Sequence, residues 1–136
     1  MFKQSTNLMG VSAPFEYILG TDGEGYALGE ALVLSAGRVT KCGPTATPEF
    51  ICQKNQAAEA AAATPLPVMR VTELQEYEAP VGAATPAPIA VGARVTLHSD
   101  GLSVTDTTTS GVFLVSSNPK SGNVAVGDKV TGFFRR

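Results

Sequence analysis

The chain has 136 residues, a net charge of -2 and only 16% charged residues, against about 25% in a typical soluble domain. That length fits one domain with a core of its own. Lys and Arg are scattered with no basic stripe, which argues against direct nucleic-acid binding, and no apolar run approaches the ~20 residues of a membrane-spanning helix. So few charges among many Thr, Ala and Gly suggest either a surface partly covered by another molecule or a solvated surface built on Thr and Ser.

Residues 1–17 read as an extended N-terminal arm. Phe2, Leu8, Met9, Phe15 and Tyr17 are scattered through it and match neither a helical nor a strand period. The stretch has one Lys and no continuous apolar core, so it does not read as a secretory signal. Either the arm docks on its own domain or it reaches a neighbouring subunit. Left isolated, it cannot bury its apolar groups, and attachment to a partner that supplies the other wall is the expectation.

Residues 18–136 read as a single β domain. Within it "LGEALVLSAGRVTKCG", from Leu28, aligns without gaps on "VGARVTLHSDGLSVTD", from Val91, and "VGDKVTG", from Val126, starts the phrase a third time. Leu32 and Leu34 alternate, as do Val95 and Leu97, which marks strands with one buried face. A short polar or Gly-containing segment and a second strand follow, so Leu34 is expected to face Val39, and Leu97 to face Leu102, across β-hairpins with all four side chains buried. The polar slots vary freely between copies (Glu30, Ala93 and Asp128 in one), which suits a fold motif rather than a catalytic one.

Between the first two copies, Pro48–Gln53 and Pro67–Ala79 read as strands. The Ala-rich run near 55–66 reads as a loop with at most two helical turns, and the Pro/Ala/Gly stretch near 80–90 as an extended connector. Val112–Ser116 is a further strand before an Asn-Pro-Lys-Ser-Gly turn. Nine prolines and fourteen glycines among many short strands predict an all-β fold, a small sandwich or barrel of antiparallel strands and hairpins.

The residues that carry chemistry do not assemble into a catalytic or metal motif. His98 is the only histidine, and Ser99 and Asp100, directly adjacent, point in different directions on a strand end. "GTDGEG" from Gly20 has too few oxygen ligands for a calcium loop, and "GEGYALG" lacks nucleotide-binding spacing. Cys42 and Cys52 have no zinc-ligand companions; without an export signal, two free thiols are expected rather than a disulfide across neighbouring strands. No catalytic residue, metal or cofactor is expected.

Four stretches, "GPTATPEFICQ", "PVMRVTELQEYEAP", "VGARVTLHSDGLSVTDTTTSGVFLV" and "GDKVTGFF", make the chain resemble small bacteriophage head decoration (capsid cement) proteins, over roughly residues 25–134. The resemblance implies a non-enzymatic structural protein on the capsid exterior of a virion assembled in the host cytoplasm. It implies the major capsid protein as partner, a homo-oligomer with a trimer favoured, attachment through a terminal arm, and neither nucleic acid nor membrane as a direct partner. Other β-type virion parts (a head fibre, tail-tube or adaptor subunit) are the nearest alternative. A carbohydrate- or ligand-binding β module is disfavoured by the absence of Trp. The candidate partner-contact residues are Phe2, Leu8, Met9 and Phe15 of the arm with Phe134, Arg135 and Arg136 at the other end. The adjacent Phe133 and Phe134 point to opposite faces of a strand, leaving one free for a neighbour.

Overall fold

A computed structural model describes residues 1–8, 10 and 14–135. Its elements are eleven β-strands: β1 (Lys3–Asn7), β2 (Phe15–Leu19), β3 (Ala31–Ser35), β4 (Arg38–Lys41), β5 (Phe50–Cys52), β6 (Pro65–Arg70), β7 (Gln75–Ala83), β8 (Arg94–Val95), β9 (Val104–Thr105), β10 (Phe113–Ser117) and β11 (Lys129–Phe134). They form two sheets stacked as a sandwich, ordered β1-β7-β11-β10-β8 and β2-β6-β5-β3-β4, with β9 parallel to the end of β7. The all-β expectation holds in its sandwich form. The second sheet curls until Gly20, just past β2, bridges Val39 of β4, but it does not close into a barrel.

Alternation explains the layers. In β7, Gln75, Tyr77, Ala79 and Val81 point inward while Glu76, Glu78 and Pro80 are partly solvated. Of these, Tyr77, Ala79 and Val81 meet Val95, Phe113, Val115, Val130 and Phe134 of the first sheet, and Ala31, Ile51 and Met69 of the second, in one core cluster. Phe50 and Cys52 flank Ile51 and therefore face the other way. With Leu32, Val39, Leu66, Val68 and Tyr26 they build a second cluster in the hollow of the curled sheet. All three residues of β5 are consequently buried, as befits the middle of three layers.

The outer layer is irregular chain. Tyr26 and Gln56 exchange backbone hydrogen bonds of 2.8 and 2.9 Å, and the Gly23 N–H donates to the Glu59 carbonyl at 2.7 Å. The Ala-rich run is thus a loop, tied further by the Ala62 N–H donating to Asp22 Oδ1 at 2.7 Å. The buried Tyr26 hydroxyl accepts from the Thr21 N–H at 2.8 Å and lies 3.0 Å from the Val39 carbonyl, so its polar tip is paired where this layer meets the sheet.

The repeated phrase is a turn. The N–H groups of Glu30, Ala93 and Asp128 donate to the carbonyls of Ala27, Ala90 and Ala125 at 3.1, 3.1 and 3.0 Å. The glycine before each donor has φ +81°, +90° and +95°, at Gly29, Gly92 and Gly127. This is the type II turn, whose third position demands the left-handed region.

The first hairpin has the expected register, with Leu34 opposite Val39 around a two-residue Ala36-Gly37 turn in which both φ are positive. The second does not. Leu97 lies opposite Val104, not Leu102, because the loop is two residues longer. Asp100 Oδ1 accepts from the Leu102 N–H at 2.8 Å and the Ser103 hydroxyl at 3.0 Å, which holds Ser99–Leu102 in the loop. Leu97 and Val39 are buried, whereas Leu34 remains 44% exposed at the sheet rim and Leu102 is only half-buried.

Two further expectations need correction. Of the two readings of the N-terminal stretch, docking on its own domain holds for the described residues, and the arm reserved for a partner does not: β1 pairs with β7, β2 pairs with β6, and Phe2 is in the core. The connector begins later than expected, because β7 runs on to Ala83.

Candidate interaction surface

The candidate contact residues divide by burial. Phe2 packs at 4.9 Å from Phe134 and 6.0 Å from Phe113, ring centroid to centroid. Phe134 also stands 5.1 Å from Tyr77 and 5.2 Å from Phe113. Four rings thus form the centre of the sandwich, and neither Phe2 nor Phe134 can touch a partner: burial of a ring from each chain end outweighs any use outside. Phe133 takes the outward position, with the Arg135 guanidinium 5.1 Å above its ring. Arg135 is half-buried, and Leu8 and Phe15 are exposed. Met9 and Arg136 lie outside the described residues.

Other exposed apolar side chains complete the surface. Phe15 and Tyr17 are 55% and 69% exposed on one face of β2, opposite Met69 and Pro67 of β6. Phe15 also borders a groove of about 310 Å³ with Met1, Phe2, Leu28 and Met69. Leu28, Val91 and Val126 hold the second position of the three type II turns, and Val91 and Val126 are 64% and 69% exposed. Val91 and Val126 belong to identical Ala-Val-Gly triplets. Because β8 and β11 both run antiparallel to β10, the turns that precede them stand at the same end of the sheet, on either side of β10. Two strand spacings, about 10 Å, separate β8 from β11, and the two turns are also staggered along them, with Val91 four residues before Val95 and Val126 eight before Phe134, the two residues level with Phe113.

Charges beside these side chains are mutually satisfied. Arg70 grips Glu16 with Nε and Nη2 at 2.9 and 2.8 Å and lies 4.7 Å over the Phe50 ring. Lys120 Nζ is 2.8 Å from Asp128 Oδ2, and that contact, helped by the Ala125 N–H, holds the Asp128 carboxyl below its ordinary pKa. Lys41 meets the buried Glu30 at 2.7 Å. The apolar turns therefore sit in electrically quiet surroundings.

The group around His98 is structural. Partial burial works to raise the Asp100 pKa, but the Leu102 N–H, the Ser103 hydroxyl and His98 outweigh it and keep the carboxyl ionised to lower pH than usual. His98 Nδ1 lies 3.2 Å from Asp100 Oδ2 and the Ser103 hydroxyl donates to the same carboxylate, so the acid stands between imidazole and hydroxyl. That order holds a loop and does not activate a nucleophile. Among the described residues no group of three or more His, Cys, Asp or Glu is placed to hold a metal ion, and no helix is long and apolar enough to cross a membrane.

Cys42 and Cys52 are free and buried. Cys42 follows β4 and Cys52 ends β5, with β3 between them, and they belong to different core clusters. Two strand spacings, about 10 Å, exceed the Cα separation a disulfide allows. Burial pushes the Cys42 thiol up to about 12, with Glu49 adding to it, and burial likewise raises Cys52. A thiol reagent at neutral pH is expected to find two groups in denaturant without reductant, and none in the native protein over minutes. One rapidly labelled native thiol would contradict this burial.

No protein-family model, no curated protein and no solved structure matches this chain.

Proposed function

We propose that the protein is a non-enzymatic structural component of a bacteriophage virion that binds and stabilises the exterior of the capsid. The observation that carries this reading is the pair of Ala-Val-Gly turns. Core packing accounts for most apolar residues of the strands, and positive φ accounts for the glycines of the turns, but neither accounts for a valine mostly in water at both tips. Such side chains gain free energy only against another surface. The neutral Lys120–Asp128 pair beside them suits an uncharged, largely apolar contact on the major capsid protein. The resemblance to decoration proteins supports the same partner.

The test is co-sedimentation with heads built from the major capsid protein of the encoding phage. Replacing both Val91 and Val126 by Asp leaves the core untouched, so circular dichroism and melting should stay at wild-type values. Each valine contributes about 1.5–3 kcal/mol when fully buried, so binding should fall by about a hundredfold or more. A double variant that still decorates heads at wild-type occupancy defeats this reading.

A further inference from the structure

Four strands lie at the lateral edges of the two sheets, and three of them are protected against pairing with another chain. β1 is polar, starts with Lys3 and carries a register irregularity between Gln4 and Thr6. β4 is flanked by Arg38 and Lys41 and is met at Val39 by Gly20. β8 is two residues long, and beyond it Thr96 is already paired, its N–H donating to the Thr107 carbonyl at 2.9 Å. Charge, bulges, shortness and cover are the usual means by which an edge avoids a partner.

β2 has none of them. Its sequence, Phe-Glu-Tyr-Ile-Leu, contains no Lys, Arg, Pro or Gly and pairs with β6 over five residues without irregularity. Its one charge, Glu16, is already neutralised by both arms of Arg70. Only Gly20, past the end of the strand, bridges to β4, which draws near the Leu19 end, so among the described residues no strand is paired along the outer edge from Phe15 to Ile18. Aromatic and β-branched residues in a short edge of low net charge are the composition that pairs most readily.

We propose that β2 is a self-association edge, where two copies of the chain join their curled sheets by antiparallel pairing of β2 with β2 about a two-fold axis through Tyr17. The side-chain pattern fits a second copy. With Tyr17 opposite Tyr17 of the partner subunit, Phe15 falls opposite Leu19 of the partner subunit, and Glu16 opposite Ile18 of the partner subunit. Like charges therefore do not meet, and the exposed rings of one face pair with apolar side chains. An acidic or basic peptide would find no unpaired charge to read on this strand. The contact is isologous and closes after two copies, so this edge gives a dimer rather than the trimer that the resemblance favours. The inference does not depend on the capsid reading.

Sedimentation equilibrium of the full chain over about 1 µM to 1 mM tests it, a range suited to a small interface. The wild type is expected to approach a dimer. Tyr17→Lys places the usual edge-protecting charge on the axis, touches no core residue, and should weaken association at least tenfold with melting unchanged. Leu8→Lys, an equally exposed apolar site off this edge, should leave the dimer intact. Amide exchange of the wild type gives a second readout that needs no variant: protection of residues 15–18 should rise with protein concentration. A monomer at all concentrations, a trimer indifferent to Tyr17→Lys, equal weakening by Leu8→Lys, or exchange at residues 15–18 independent of concentration would each overturn the proposal.

Discussion

Deleting residues 1–16 is expected to abolish cooperative folding. The deletion removes β1 and so exposes the ladder edge of β7, one of the central strands of the first sheet. It removes Phe2, whose ring touches Phe113 and Phe134 and whose N–H donates to the Gly29 carbonyl at 3.0 Å. It also takes Phe15 and Glu16 from β2, leaving Arg70 without its carboxylate. Loss of a buried Phe side chain alone costs about 3–5 kcal/mol, and a domain has only about 5–15 kcal/mol in all. The measurement is far-UV circular dichroism with thermal melting. A truncated protein with the wild-type midpoint would show that the first strand is an appendage after all.

Phe134→Ala is expected to cost about 3–5 kcal/mol, as for a large ring removed from a core that cannot collapse around the space. Phe134 is 1% exposed and in contact with three other rings from three segments of chain, so no single neighbour can move in to fill the gap. At about 3–4 °C per kcal/mol for a chain of this size, the melting midpoint should fall by about 10–20 °C. Phe133→Ala is the comparison: its ring lies outward under Arg135, and its loss should cost about 1 kcal/mol or less. Equal losses for the two variants would mean that the wrong member of the pair has been placed inside.

How far the sequence discloses this fold depends on where each signal is stored. The hairpin of β3 and β4 was legible because its register follows from local alternation and a two-residue turn. The second hairpin slipped by two residues because its loop is held by the Asp100 carboxylate, a side-chain hydrogen bond that no apolar pattern announces. β1 was illegible for a different reason. None of its five side chains is buried, so there is no alternation to read, and its ladder partner stands about seventy residues away. Leu34 shows that alternation fixes a face and not a depth, since position across the sheet decides whether that face is covered. Of the candidate contact residues, Leu8 and Phe15 are exposed, whereas Phe2 and Phe134 were claimed by the core. Tyr17 was in view only as part of the arm. The exposure of Val91 and Val126 was hidden because an aliphatic residue before Gly looks the same in sequence whether its turn points inward or out.

The order of strands has a consequence for synthesis. The curled sheet uses only β2 to β6, a continuous stretch from Phe15 to Arg70, and its own inner cluster draws on the same stretch. The facing sheet is different, because β7 lies between β1 and β11, the first and last strands of the chain. A ribosome adding about 5–20 residues per second needs several seconds to pass from β6 to β11. Over that interval the curled sheet can form while Ala31, Ile51 and Met69 on its other face still await their cover. Strand order thus leaves room during synthesis for a half-built state with an apolar face, and if that state forms, yield in a cell is expected to rise with chaperones that shield the face until Phe134 arrives.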